Sequence, residues 1–255
     1  MDYEKFIGII PARYASSRFP GKPLQLIGGK SMIQRVYEQV SSVLPCVYVA
    51  TDDHRIFDAV EAFGGGVVMT SEHHKSGTDR CFEAYRKVGE GRSVIVNIQG
   101  DEPFIQPSQI EAICKCFEDE ETQIATLVKP FTSKDGFEAL CNPNSPKVVL
   151  TANHEAIYFS RSVIPFVRNE QKEDWLKSQT FYKHIGMYAY CGDVLEKITK
   201  LPQSSLEKAE SLEQLRWIEN GLKIKVGITN EETIGIDTPE DLKKAEQFLE
   251  KLQEK

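Results

Sequence analysis

Residues 7–24 read Ile7-Gly8-Ile9-Ile10-Pro11-Ala12-Arg13-Tyr14-Ala15-Ser16-Ser17-Arg18-Phe19-Pro20-Gly21-Lys22-Pro23-Leu24. The stretch starts as a short apolar run, which predicts a strand buried on both faces. At Pro11 the run stops, and a loop of small residues follows that carries Arg13, Arg18 and Lys22. No neighbouring carboxylate offsets these cations, so they repel one another until an anion joins them. A loop at the carboxyl end of a first parallel strand is where open α/β sheets bind ligands. The backbone N–H groups of Ala15, Ser16 and Ser17 can turn toward an anion because their side chains are small. A polyphosphate fits this loop, and a solvated basic turn is the plainer alternative.

Composition narrows the class. The 255 residues suffice for one large α/β domain or two small ones. With 31 Lys and Arg against 38 Asp and Glu, the net charge is −7, which argues against a nucleic-acid binder with a broad basic face. No apolar run reaches membrane-spanning length, and the start of the chain lacks a signal-type apolar segment. The expectation is a cytoplasmic protein that binds neither membrane nor nucleic acid. Cys46, Cys81, Cys114, Cys116, Cys141 and Cys191 form no C-x-x-C pair and read as free thiols.

Outward from the opening stretch, strand and helix patterns alternate. Helices are predicted at Ser31 to Val43, at His54 to Phe63, after Ser76-Gly77-Thr78-Asp79-Arg80, and at Pro107 to Glu118. Strands are predicted at Cys46 to Thr51, Val67 to Met69, Val94 to Gln99 and Ile124 to Val128. Such alternation predicts a largely parallel α/β sheet with right-handed crossovers. After Pro130 the pattern changes: Lys147 to Thr151 and Ala156 to Ser160 read as a hairpin, and Lys183 to Cys191 as a further strand. The charged segment Arg168 to Ser178 reads as an exposed, mobile loop, and Leu206 to Asn220 as one long helix. Ile224 to Ile228 is the last strand, and Thr238-Pro239-Glu240-Asp241 opens a C-terminal helix with a capping box. The expectation is a single domain, residues 1–255, with an antiparallel excursion over about residues 130–190.

Two nucleotide motifs fail on spacing. Gly29-Lys30-Ser31 resembles the end of a P-loop, but the required earlier glycine falls at Leu24. The first strand leads into Pro11-Ala12-Arg13 instead of a G-x-G-x-x-G turn, which removes the main support for NAD chemistry. Asp101 follows a buried strand, where a carboxylate is costly unless paired or metal-bound; Mg²⁺ held by one or two carboxylates plus substrate phosphates fits, as does a capping aspartate. Asp237 alone reads as a turn residue. His184 and Tyr188 share a strand face, with Arg161 after another strand; they could hold a hydroxylated acid or be ordinary sheet polarity. Glu213 and Gln214 interrupt an apolar helix and could equally be its solvent side.

Taken in order, these segments resemble a known family. The opening loop resembles the nucleotide loop of sugar-acid cytidylyltransferases. Ser76-Gly77-Thr78-Asp79-Arg80, Asn97-Ile98-Gln99-Gly100-Asp101-Glu102-Pro103, Tyr158-Phe159-Ser160-Arg161, Lys183-His184-Ile185-Gly186, Leu212-Glu213-Gln214-Leu215-Arg216 and Gly235-Ile236-Asp237-Thr238-Pro239-Glu240-Asp241-Leu242 follow in sequence. The set is similar to the 3-deoxy-D-manno-octulosonate (Kdo) cytidylyltransferases, with mild departures at Ser17, Phe19 and Asp79. The resemblance implies a Rossmann-like, glycosyltransferase-A-like nucleotidyltransferase sheet. It implies CMP transfer from CTP to Kdo with release of pyrophosphate, serving lipopolysaccharide synthesis. It assigns Arg13, Lys22 and Asp101 to catalysis, and Ala12, Arg13, Arg18, Lys22, Thr78, Arg80 and Gln99 to the nucleotide. Gln99, Arg161, His184, Tyr188, Glu213 and Gln214 would hold the sugar acid, and Asp101 and Asp237 would hold Mg²⁺. The family forms homodimers, here through the antiparallel subregion, which would also carry sugar-binding residues. The alternatives are another acceptor, such as a sialic acid or an amino-substituted Kdo, and a non-catalytic nucleotide sensor.

Overall fold

A computed structural model of the chain describes residues 1–15, 19–232 and 235–253. It divides into two compact units, Met1–Glu111 with Thr233–Lys255, and Ala112–Glu232. Arg18, Ser16 and Ser17 lie outside the described residues.

In the first unit the elements are β1 (Phe6–Ala12), β2 (Leu26–Ile27), β3 (Lys30–Ser31), α1 (Met32–Ser41), β4 (Val47–Thr51), α2 (His54–Ala62), β5 (Val67–Met69), α3 (Gly77–Val88) and β6 (Val94–Asn97). Four strands pair in parallel in the order β6-β1-β4-β5, with β1 inside. Phe6, Ile7, Ile9 and Ile10 are completely buried, the signature of a strand covered on both faces. Gly8 admits α1 closely: a Cβ there would sit 2.9 Å from Val40 Cγ1. Helix starts are fixed locally, since Ser31 Oγ accepts from Gln34 N at 3.3 Å and Ser76 Oγ accepts from Asp79 N at 3.1 Å.

The first strand runs past its expected end at Pro11, which pairs with Ala50 of β4. On the other side, Ile9 O accepts from Ile98 N, and pairing with β6 ends at Ile9. Pro11, two residues on, faces the same way, so its missing N–H breaks no ladder bond. The C-terminal helix Pro239–Gln253 returns to this unit. Its predicted capping box is present: Thr238 N and Asp241 N donate to each other's side chains at 3.1 and 3.2 Å. Ile236, Leu242 and Ala245 pack with Ile27, Met32 and Phe104.

Helix α4 (Pro107–Lys115) carries the chain out of the first unit. The second contains β7 (Ile124–Pro130), α5 (Gly136–Cys141), β8 (Lys147–Leu150), β9 (Ala156–Ser160), α6 (Trp175–Ser178), β10 (Tyr182–Cys191), α7 (Gly192–Thr199), α8 (Ser205–Glu210), α9 (Gln214–Glu219) and β11 (Lys225–Ile228). β10 is antiparallel to β7 and β8, β9 is antiparallel to β8, and β11 is parallel to β7. The expected α/β class, mainly parallel with an antiparallel excursion, is therefore present. Among the described residues no disulfide joins any of the six cysteines.

Two expectations need correction. The long helix over 206–220 is two helices, because Ser211 adopts a left-handed conformation (φ 51°) that ends α8. Arg216 then folds back onto Glu207 with contacts of 2.7 and 2.8 Å, an ion pair that a continuous helix would not form at nine residues' separation. Nor is Arg168 to Ser178 simply an exposed loop: it includes α6, and Trp175 is only 4% exposed. That ring stacks on Phe181 (6.2 Å) and meets Phe137 edge-on (5.8 Å), so one large apolar residue anchors an otherwise charged segment.

Candidate active site

The loops after β1 and β6 open at the carboxyl ends of neighbouring parallel strands. Together they bound a cavity of about 480 Å³. Ala12, Arg13 and Lys22 line it from the first loop, Gln99 and Asp101 from the second, and Arg80 and Asp237 from elsewhere in the same unit. Ile236 N donates to Asp101 O at 3.0 Å, which ties the two acid-bearing segments by their backbones.

The cationic loop closes on itself, with Gly21 N donating to Tyr14 O at 2.9 Å. Gly21 has φ +69°, a left-handed backbone that favours glycine, and a Cβ there would come within 3.1 Å of the Tyr14 ring, a tight contact. Arg55 lies 3.3 Å over the Tyr14 ring and is itself held by Asp53 at 2.6 and 2.9 Å. A 3₁₀ turn, Lys22–Leu24, follows Gly21 and presents Lys22 to the acids. Lys22 Nζ donates to Asp101 Oδ2 at 2.7 Å and to Asp237 Oδ1 at 3.3 Å. A cation thus already stands between two carboxylates, which is the donor set a divalent metal would use. Among the described residues no group of three or more His, Cys, Asp or Glu is placed to hold a metal. The pair would need oxygens from a ligand to complete a coordination shell, which is the usual situation for Mg²⁺ with phosphates.

Arg80 lines the same cavity but is 1% exposed, and it donates to Asp52 Oδ2 at 2.7 Å and to Thr70 Oγ1 at 2.6 Å. Asp52 has no role in the sequence reading, although it stands just past β4 as Asp101 stands just past β6. That shared strand-end position was the available signal. Thr78 is buried in the first turn of α3.

The proposed acid-binding residues other than Gln99 lie in the second unit. His184 and Tyr188 approach with ring centroids 5.3 Å apart, and Trp217 meets Tyr188 edge-on at 5.0 Å. Burial pushes the Tyr188 hydroxyl well above its ordinary pKa, and the nearby Glu213 carboxylate adds to this. Burial pushes His184 down to about 3, so the ring is neutral at pH 7. The Thr126 hydroxyl sits 3.0 Å from His184 Nε2 and donates its single proton to Met187 O at 2.8 Å.

Among the described residues, Gln214 Nε2 and Trp217 Nε1 are buried without a hydrogen-bond partner. Buried donors in this state are uncommon. Trp217 was missed by the sequence reading, because its neighbours Leu215 and Ile218 made the helix look like plain core. Arg161 is committed elsewhere: Nε, Nη1 and Nη2 donate to the carbonyls of Glu210 (2.6 Å), Pro143 (2.9 Å) and Ser211 (3.2 Å). Glu213 reaches Arg216 at 3.4 Å.

Residues 7–224 match the cytidylyltransferase family. A 3-deoxy-manno-octulosonate cytidylyltransferase of Phocaeicola vulgatus is 72% identical over 245 residues, covering 96% of this chain and 97% of its own. An 8-amino-3,8-dideoxy-manno-octulosonate cytidylyltransferase of Shewanella baltica is 47% identical, with coverage of 94% and 97%. Among solved structures, a CMP:2-keto-3-deoxy-manno-octonic acid synthetase complexed with CTP superposes with a TM-score of 0.88 at 42% identity, covering 97% of this chain and 99% of its own. A glucose-1-phosphate thymidylyltransferase from Bacillus anthracis, 17% identical with a TM-score of 0.65, shares the fold. With the match running through both units and the cationic loop facing paired carboxylates, the chain belongs to the cytidylyltransferase family.

Proposed function

We propose that this chain transfers CMP from CTP to Kdo, giving CMP-Kdo and pyrophosphate and so activating Kdo for lipopolysaccharide synthesis. The observation that carries the reading is the Lys22–Asp101–Asp237 cluster beneath the cationic loop, in a chain 72% identical to a Kdo cytidylyltransferase over nearly its full length. Arg13 and Lys22, with Arg18 of the same loop, would neutralise the triphosphate, and Gln99 would contribute to both the cytidine and the acid. Mg²⁺ on Asp101 and Asp237 would supply further charge neutralisation at the reacting phosphate. The 2-hydroxyl of Kdo would attack the α-phosphorus in line, its proton passing to solvent while pyrophosphate leaves. Such a transfer needs positioning and electrostatic stabilisation more than a covalent partner from the protein.

In the second unit, neutral His184 would hydrogen-bond a sugar hydroxyl, and Gln214 and Trp217 would donate to others. His184 is not assigned as a general base, because a ring pushed down to about 3 binds a proton too weakly near neutrality. Arg161 would serve by holding the end of β9 against the turn between α8 and α9. A family match that spans both units supports a single working nucleotidyltransferase domain. Among the described residues no helix is long and apolar enough to cross a membrane. A cytoplasmic homodimer, joined through the subregion of about residues 130–190, completes the reading.

The test is pyrophosphate release from CTP with Kdo, the 8-amino analogue and sialic acid assayed side by side. Release with Kdo in the presence of Mg²⁺, and little with the others, is expected. A preference for the 8-amino acid would move the substrate assignment to that analogue, and no release with any acid would end the reading.

A further inference from the structure

Lys22 holds the position a metal would need. Its ammonium lies 2.7 Å from Asp101 Oδ2 and 3.3 Å from Asp237 Oδ1, and its side chain is only 14% exposed. A divalent ion bridging the same oxygens at Mg²⁺–oxygen distances of about 2.1 Å would fall in the space now filled by the ammonium, and the two cations would repel. The same lysine stands at the mouth of the cationic loop, where a triphosphate offers a stronger set of anionic partners.

We propose that Lys22 is a resident counter-cation that keeps divalent metal off the Asp101–Asp237 pair until a triphosphate draws the lysine away, so that metal and nucleotide enter together. The inference rests on the reading of these aspartates as metal ligands. The pair is short of ligands by itself, since no third His, Cys, Asp or Glu joins it among the described residues. Lysine therefore removes two difficulties before nucleotide binds: it offsets the repulsion between the carboxylates and prevents capture of metal without substrate. When the triphosphate arrives, its oxygens take the ammonium and complete the metal's shell in one exchange.

Mn²⁺ binding to the nucleotide-free protein, read from the free-ion EPR signal without acid or turnover, tests this. Lys22→Met should bind Mn²⁺ at least about tenfold more tightly than wild type, a difference of about 1.4 kcal/mol. Lys22→Arg keeps a cation and should stay within about threefold of wild type, and Lys22→Met combined with Asp101→Asn should lose the gain. Equal Mn²⁺ affinity in Lys22→Met and wild type overturns the proposal. Should Lys22→Met fail to fold by circular dichroism, the wild-type protein decides: saturating Mg²⁺ must shift the ¹⁵N resonance of Lys22 Nζ, and an unmoved resonance with metal bound refutes displacement. If wild type releases pyrophosphate with Kdo while Lys22→Met gains nothing, only the lysine proposal falls. If wild type releases none with any acid, the functional reading falls whatever Mn²⁺ does.

Discussion

Replacing Arg80 by methionine separates a residue that reads nucleotide from one that holds the site together. The guanidinium is 1% exposed and pairs with Asp52, itself 15% exposed, while also donating to Thr70. Methionine fills most of the volume, so the cavity contribution is small and the loss is electrostatic. Breaking a buried pair by removing one partner costs about 3–5 kcal/mol, because the other charge stays buried and unpaired. For a chain of this length 1 kcal/mol shifts the midpoint by about 2–4 °C, so Arg80→Met should melt roughly 6–20 °C below wild type. Asp52→Asn with Arg80→Met should recover part of the loss, since the stranded carboxylate is gone; a coupling of about 2 kcal/mol is expected. Circular-dichroism melts give both numbers, and calorimetric titration of CTP well below the midpoint gives affinity. A midpoint within about 2 °C of wild type, together with a hundredfold loss of CTP affinity, would refute the structural role and make Arg80 a direct nucleotide ligand.

Asp101→Asn should lower kcat for pyrophosphate release by roughly 10³-fold while CTP still binds, because neutralisation of the reacting phosphate is lost and the loop cations remain; full activity would sink the metal assignment. The His184 ring, pushed down to about 3 by burial, should show imidazole ¹⁵N shifts that stay constant from pH 8 to pH 5. Its folded pKa lies below the unfolded value of about 6.5, so its contribution is fully present above 6.5 and is lost as pH falls toward 3. A variant such as His184→Gln should therefore flatten the stability profile over that window, and titration of the wild-type ring near 6.5 would contradict the burial argument. Trp175→Ala should cost about 3–5 kcal/mol in stability by emptying the cluster around Phe137 and Phe181, and a cost under 1 kcal/mol would show that the segment does not depend on this anchor.

Much of the fold was legible because its signals are local. The apolar run before Pro11, the helices after Ser31 and Ser76 and the Thr238–Asp241 box depend on neighbours within a few residues, and the structure repeats each of them. The strand that overran Pro11 shows where local reading stops. Whether a missing N–H matters depends on whether a partner strand is still alongside, and β6 pairing ends at Ile9.

The alternation of strands and helices, the cationic loop and the order of the motifs are all readable along the chain, because periodicity and turn residues reflect contacts a few positions apart. What those motifs do to one another is settled by the folded arrangement. Lys22 lies 79 residues from Asp101 and 215 from Asp237, yet its ammonium joins them. Arg80 turns to Asp52 across 28 residues, and Arg216 to Glu207 across the break at Ser211. Pairing of charges is fixed by through-space distance and burial, which no spacing along the chain encodes.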